Sequence, residues 1–166
     1  FSDKYKLYKY SLIFPQNKGI NLLEVISHES KTKKYNIQSI AYNSFVEIIR
    51  LHNNHRIAHL DIKPDNIMVE KNNNCTLIDF GLSVIDKYCK QHKVKHGGLL
   101  YMYPHIVTSS QKPLLFKDYK QADCFSWLSM CYFDLQLDLL NIYHIAQQIQ
   151  PKTHHNITLK VTEEHL

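Results

Sequence analysis

The chain has 166 residues, 44% of them hydrophobic, and a formal net charge of +5. That length and apolar content suit one domain with a real core and exclude a disordered chain. No apolar stretch reaches the roughly 18 residues that span a bilayer, and a mild charge carried by lysines, with only Arg50 and Arg56 as arginines, gives no ground to expect nucleic-acid binding.

Tyr8 to Phe14 is rich in aromatic and β-branched residues and predicts a strand, which Pro15-Gln16-Asn17-Lys18-Gly19 breaks. Asn21 to Ile26 predicts a short helix. Ile37, Ile40, Ala41, Phe45, Ile48, Ile49 and His52 recur at helical spacing and predict a long helix whose apolar stripe is core. Ile67-Met68-Val69 and Cys75-Thr76-Leu77-Ile78 flank Lys71-Asn72-Asn73-Asn74, the pattern of a β-hairpin with an Asn-rich turn. Such a hairpin carries Asn66 at one end and Asp79 at the other, so both reach one edge. Residues 82 to 102 have no period and are rich in Lys and His, whereas Lys120 to Leu135 again predicts a helix. After Pro151 the chain is polar and is expected to fray.

The chemistry concentrates in two runs. The first is His59-Leu60-Asp61-Ile62-Lys63-Pro64-Asp65-Asn66 and the second is Asp79-Phe80-Gly81. Together they resemble the catalytic loop and the metal-binding triplet of eukaryotic-type protein kinases. Catalysis of phosphoryl transfer is positioning plus charge neutralisation, so it needs few side chains. By the resemblance, Asp61 is the catalytic base that accepts the proton of the incoming hydroxyl, and Lys63 touches the transferred γ-phosphate. Asn66 and Asp79 would hold Mg2+ ions that bridge the phosphates of ATP, as oxygen ligands suit a hard cation. The implied cofactors are ATP and Mg2+, and the implied partner is a protein substrate. The Lys-Pro-x-Asn spelling looks like the serine/threonine branch, and Lys63 speaks against a small-molecule phosphotransferase. The resemblance further implies that Asp123 tethers the catalytic-loop backbone, that His59 packs beneath the triplet, that Phe80 is a core plug and that Gly81 lets the backbone swing.

The resemblance covers about residues 8 to 135. It implies an α+β, protein-kinase-like fold, mainly the α-helical large lobe with a short β-hairpin at the catalytic cleft. The whole chain, 1–166, would be a partial kinase domain. About 1–14 would end the small lobe, 15–20 would be the hinge, 21–150 the large lobe and 151–166 a polar tail. Backbone groups near Ile13 to Gln16 would meet the adenine. A missing small lobe would expose the apolar floor of the cleft, so a partner covering it is expected.

Several positions depart from the family pattern. The four glycines, Gly19, Gly81, Gly97 and Gly98, include no phosphate-covering loop. Leu60 replaces the Arg that normally pairs with a phosphorylated activation loop, and Ser83 is the only hydroxyl apart from tyrosines between Gly81 and Tyr103. Switching by phosphorylation there is therefore not expected. Gly97 to His105 resembles the segment ending in Ala-Pro-Glu, with Gly98 in place of Thr and His105 in place of Glu. That Glu usually pairs with a downstream Arg, and no Arg follows Arg56. These departures keep a second reading open, a truncated pseudokinase-like module that acts by binding partners.

Cys75, Cys89, Cys124 and Cys131 show no paired spacing, which fits a reducing, cytoplasmic compartment better than a disulfide framework. The bias to Lys, Asn, Ile and Tyr is what AT-rich coding produces, as in a large DNA virus or an AT-rich microbe; for a virus the compartment would be the host cell. Cys89, His92, His96 and His105 have gaps that suit Zn2+, but a charged exposed loop is the expectation there, with Lys87, Lys90, Lys93 and Lys95 able to attract an acidic substrate. The chain starts at Phe1, without Met or an apolar signal core, so a fragment or processed piece is expected.

Overall fold

The computed structural model describes residues 19–28, 34–91, 99–104, 106 and 114–149. The strand expected at Tyr8 to Phe14, the adenine contacts near Ile13 to Gln16 and the tail after Pro151 lie outside them, as do His92, Lys93, Lys95, His96, Gly97, Gly98 and His105.

The described chain opens with β1 (Ile20–Asn21) and α1 (Leu22–Ser27). Ile20, read from sequence as the end of the hinge, and Asn21, read as the start of the helix, instead form a strand antiparallel to β3 (Ile67–Val69). Gly19 makes this approach possible: a Cβ there would lie 2.7 Å from the carbonyl oxygen of Val69. The Asn21 side chain accepts a hydrogen bond from Leu23 N–H, capping α1 and satisfying one of its orphan donors.

Helix α2 (Ile37–Arg50) forms where the helical period predicts it, capped by Asn36, whose side chain accepts from Ser39 N–H. It does not stop at Arg50. A π-helical turn, Leu51–His55, extends it and ends at Arg56, which is left-handed with φ 55°. Strand β2 (Ile57–Ala58) follows and pairs antiparallel with β5 (Val84–Ile85), Ile57 facing Ile85. The expected hairpin is present as β3 and β4 (Cys75–Leu77), with Ile67 opposite Leu77, and it forms the three-stranded sheet β1-β3-β4. Asn73 adopts φ 63° in its turn and anchors that turn to α2, accepting Asn36 N–H at its side chain and Asn43 Nδ2 at its carbonyl.

Helix α3 (Phe116–Phe133) begins four residues earlier than the sequence pattern suggests, because Asp118 accepts the Leu115 N–H at 2.7 Å and both Phe116 and Tyr119 find buried positions. Helix α4 (Leu139–Ile149) turns Ile142, Ile145, Ala146 and Ile149 inward.

Two apolar clusters result. The larger one joins α1, α2, the hairpin, α3 and α4. At its centre Trp127 stacks on Phe45 with ring centroids 4.2 Å apart, and its Nε1–H donates to Ala41 O and Ser44 Oγ. Replacing so large a buried side chain by Ala costs about 3–5 kcal/mol in a typical core. The smaller cluster gathers Ala58, Val84, Cys89, Ile106, Leu114, Phe116, Tyr119 and Ala122. Around this mixed frame of helices and short sheets the two motif runs meet.

Candidate active site

The catalytic-loop run is anchored from below by one carboxylate. Asp123 on α3 is fully buried. Its Oδ2 accepts the His59 N–H at 2.7 Å and the His52 Nε2–H at 2.7 Å, and its Oδ1 accepts the Leu60 N–H at 2.7 Å. Three donors offset the cost of burying the charge. The expected tether at Asp123 is thus in place. The sequence reading placed His52 in the apolar stripe and did not foresee its hydrogen bond; a His at a core position of a helix was the available signal.

The tether holds strained backbone. Leu60 has φ 65°, a conformation that costs a non-glycine residue about 1–2 kcal/mol. Its N–H is fixed on Asp123, and its side chain packs against the smaller apolar cluster. Where the resemblance expects an arginine, the molecule therefore has an apolar contact.

His59 connects the two runs. Its Nε2–H donates to Ile78 O at 2.9 Å, and its Nδ1 accepts from Asp61 N–H at 3.3 Å, so the partners fix the tautomer. Its ring sits 4.9 Å from that of Phe80. His59 thus lies beneath the triplet as expected. Phe80 does not fill the role of core plug: it is 44% exposed, with the His59 ring tilted beside it.

The polar residues of the loop form a compact group. Asp61 Oδ2 lies 3.0 Å from Lys63 Nζ and accepts from Asn66 Nδ2 at 2.8 Å. The same Asn66 nitrogen reaches Asp61 O at 2.8 Å. With its amide nitrogen committed, the Asn66 oxygen remains available as a ligand atom. Ile78 N–H donates to Asn66 O at 3.0 Å, which brings the residue before Asp79 to the side of Asn66. Asp79 is exposed and left-handed, φ 60°, and its Oδ1 accepts from Gly81 N–H at 3.1 Å. The left-handed residue of the triplet is thus Asp79, and Gly81 has no positive φ. Asp tolerates that conformation better than most side chains because it can bond locally, as here.

This donor set fits Mg2+. Among the described residues no three His, Cys, Asp or Glu side chains make a cage that would hold a metal alone. One amide oxygen and one carboxylate, both hard, match a cation that takes most of its shell from water and phosphate. The Zn2+ alternative loses support at Cys89, which is buried in the smaller cluster on a 3-10 turn, Asp86–Gln91, while Lys87 and Lys90 point outward.

Next to the loop, Tyr101 donates its hydroxyl to Asp134 Oδ2 at 2.9 Å. Burial, reinforced by that hydrogen bond, pushes the Tyr101 phenol up to about 12, and burial raises Asp134 above the ordinary carboxylate range. Tyr101 O also accepts from Ser126 Oγ, so the chain following the undescribed segment is fastened to α3.

The protein kinase domain family matches residues 1–159. Activin receptor type-1C of Homo sapiens is 30% identical over 95 residues, covering 54% of this chain and 19% of that protein. TGF-beta receptor type-1 of Homo sapiens is 34% identical over 89 residues, with 49% of this chain and 17% of the relative covered. Sperm motility kinase 2A of Mus musculus is 28% identical over 137 residues, 74% of this chain and 26% of its own length. The chain thus spans between 17% and 26% of these relatives. With the family matched over nearly the whole sequence, and with helices and short sheets arranged as a kinase-like α+β fold, the chain belongs to the protein kinase domain family.

Proposed function

We propose that the protein containing this chain is a serine/threonine kinase that transfers the γ-phosphoryl of Mg-ATP to a hydroxyl of a protein substrate. The observation that carries this reading is the Asp61–Lys63–Asn66 group, fixed on a buried carboxylate and set beside Asp79. Asp61 would orient the incoming hydroxyl and take its proton. Lys63, already 3.0 Å from Asp61, would share its charge between that carboxylate and the transferred phosphate. Asn66 and Asp79 would hold the magnesium, which when bound neutralises the charge on the phosphate oxygens. Serine/threonine specificity rests on the Lys-Pro-x-Asn spelling.

The division into a small-lobe end, hinge, large lobe and tail is part of the same proposal. So is an intracellular compartment, for which the free cysteines Cys75, Cys89, Cys124 and Cys131 speak. No helix among the described residues is long and apolar enough to cross a membrane. The test is Asp61→Ala in the full-length protein. Transfer to a protein substrate should fall about a thousandfold, with nucleotide affinity changed by no more than a few fold; undiminished turnover would sink the assignment.

Two observations favour a second reading, a kinase-like module that works by binding partners: Leu60 is given over to apolar packing, and Phe80 leaves a large exposed ring at the cleft for a partner to cover. Calorimetric titration of this chain with Mg-ATP separates the two. Magnesium-dependent binding that Asp79→Asn loses supports the enzyme, whereas a folded chain without such binding supports the module.

A further inference from the structure

Away from the proposed transfer site, the turn before β2 and the start of α3 bring cations together in a way that the fold does not require. The Arg56 guanidinium lies 5.2 Å from the centroid of the Phe116 ring, and the Lys120 ammonium lies 5.8 Å from the same centroid. Each contact is favourable alone, but two like charges on one ring repel. They also stand at the first turns of α3, where the helix dipole is positive and a cation is disfavoured. Asp118, the acidic residue in that turn, is engaged in capping Leu115 N–H.

The neighbouring turn adds to the excess. Lys87 lies over the exposed Tyr88 ring, 4.7 Å from its centroid. Buried Tyr119 reaches Cys89 O with its hydroxyl, so this turn packs against α3. Among the described residues the carboxylate that answers the cations is Asp86, which pairs with Arg56 and leaves Lys87 and Lys120 without an ion pair. Arg56 is moreover held in the left-handed conformation, at φ 55°, by the ladder bond from Asp86 N–H to its carbonyl, yet its side chain remains 56% exposed. An unusual backbone thus presents a half-exposed guanidinium over the buried Phe116 ring.

We propose that this surface, built by Arg56, Lys87, Tyr88 and Lys120 above the buried Phe116 ring, docks an acidic segment of a partner protein. Carboxylates from such a segment would neutralise Lys87 and Lys120, which have no ion pair among the described residues, and the exposed part of the Arg56 guanidinium, already paired with Asp86, offers further donors. A nucleic-acid strand is the poorer match. Its phosphates are spaced along a line and call for a stripe of cations, whereas two of these cations share the Phe116 ring and the third lies over Tyr88. The inference does not depend on phosphoryl transfer and is read by binding alone.

The test is fluorescence anisotropy of the full 166-residue chain with a labelled peptide of alternating Glu and Gly. The expected result is salt-sensitive binding, absent for the same peptide with Gln in place of Glu. Arg56→Gln with Lys120→Gln should weaken it by about tenfold, the loss expected of two partly exposed charge contacts. Lys87→Gln with Lys120→Gln keeps the Arg56–Asp86 pair and should weaken binding as well. Lys71→Gln, on the hairpin turn, should have no effect. Equal binding by the wild type and the Lys87/Lys120 variant would overturn the proposal, as would equal binding of the Gln peptide. Tighter binding of a thymidine oligonucleotide than of the Glu peptide would overturn it in favour of nucleic acid.

Discussion

Asn66 and Asp79, the two proposed magnesium ligands, flank the same hairpin but are held in opposite ways. Asn66 is buried, bonded to Asp61 through both side chain and backbone, and its loop stands on Asp123. Asp79 is exposed, carries a left-handed backbone and is followed by an exposed Phe80. Among the described residues the His59 ring and the Ile78–Asn66 ladder bond join the two parts, with Ser83 Oγ donating to His59 O just past the triplet. Half of the candidate site is therefore organised by the core before any nucleotide arrives, while the other half depends on local bonds that a ligand can rearrange. Low local stability of that second kind is where moving elements are found.

The sharpest way to break this contrast is to remove the base beneath the ordered half. Asp123→Ala strands the His59 and Leu60 N–H groups and the His52 ring in a dry environment, and is expected to cost about 3–5 kcal/mol of stability in a urea titration. A cost near zero would mean that the loop is held from elsewhere.

Alkali should strike the same buried side. Burial, aided by Glu47, pushes the Cys75 thiol up to about 12, and burial, aided by Asp123, does the same for Cys124. The folded state thus prefers the neutral thiols. Their contribution is complete below the unfolded value near 9 and is lost as pH climbs toward 12, a window that the Tyr101 phenol joins from about 10. Urea midpoints should fall steadily across that range, and Cys124→Ala should flatten the fall; an unchanged slope in that variant would remove Cys124 from the account.

The smallest expected change in stability sits on the exposed half. Asp79→Asn retains a side chain that tolerates positive φ, so the melting curve should stay within about 0.5 kcal/mol of the wild type. If the proposed metal role is right, magnesium-dependent nucleotide binding should vanish in the same variant. A large loss of stability would show that the triplet is as structural as the loop.

Much of this arrangement was legible because it is local. The Asn-rich turn between two apolar runs gives the hairpin directly, and the period of Ile40, Phe45 and Ile48 gives α2. The resemblance supplied Asp123, whose role depends on partners more than 60 positions away. What escaped reading depends on distant packing with no local mark. The left-handed backbone of Leu60 is stabilised by a carboxylate on another helix. Phe80 is apolar, and apolarity alone cannot say that the ring stays exposed. Arg56 meets Asp86 and Phe116 across separations of 30 and 60 positions, so the run Asn54-His55-Arg56 reads simply as a polar helix end.

The π turn at Leu51–His55 has a consequence for how this gene can vary. A turn closed by i→i+5 bonds holds one residue more than an α turn, and here the surplus falls on exposed Asn53 and Asn54, with buried His52 on one side and the strand leading to Asp61 on the other. Losing one of those two codons would let α2 continue as ordinary α-helix while its flanks stay where they are. This is a place where length itself can change while the residues on either side keep their positions.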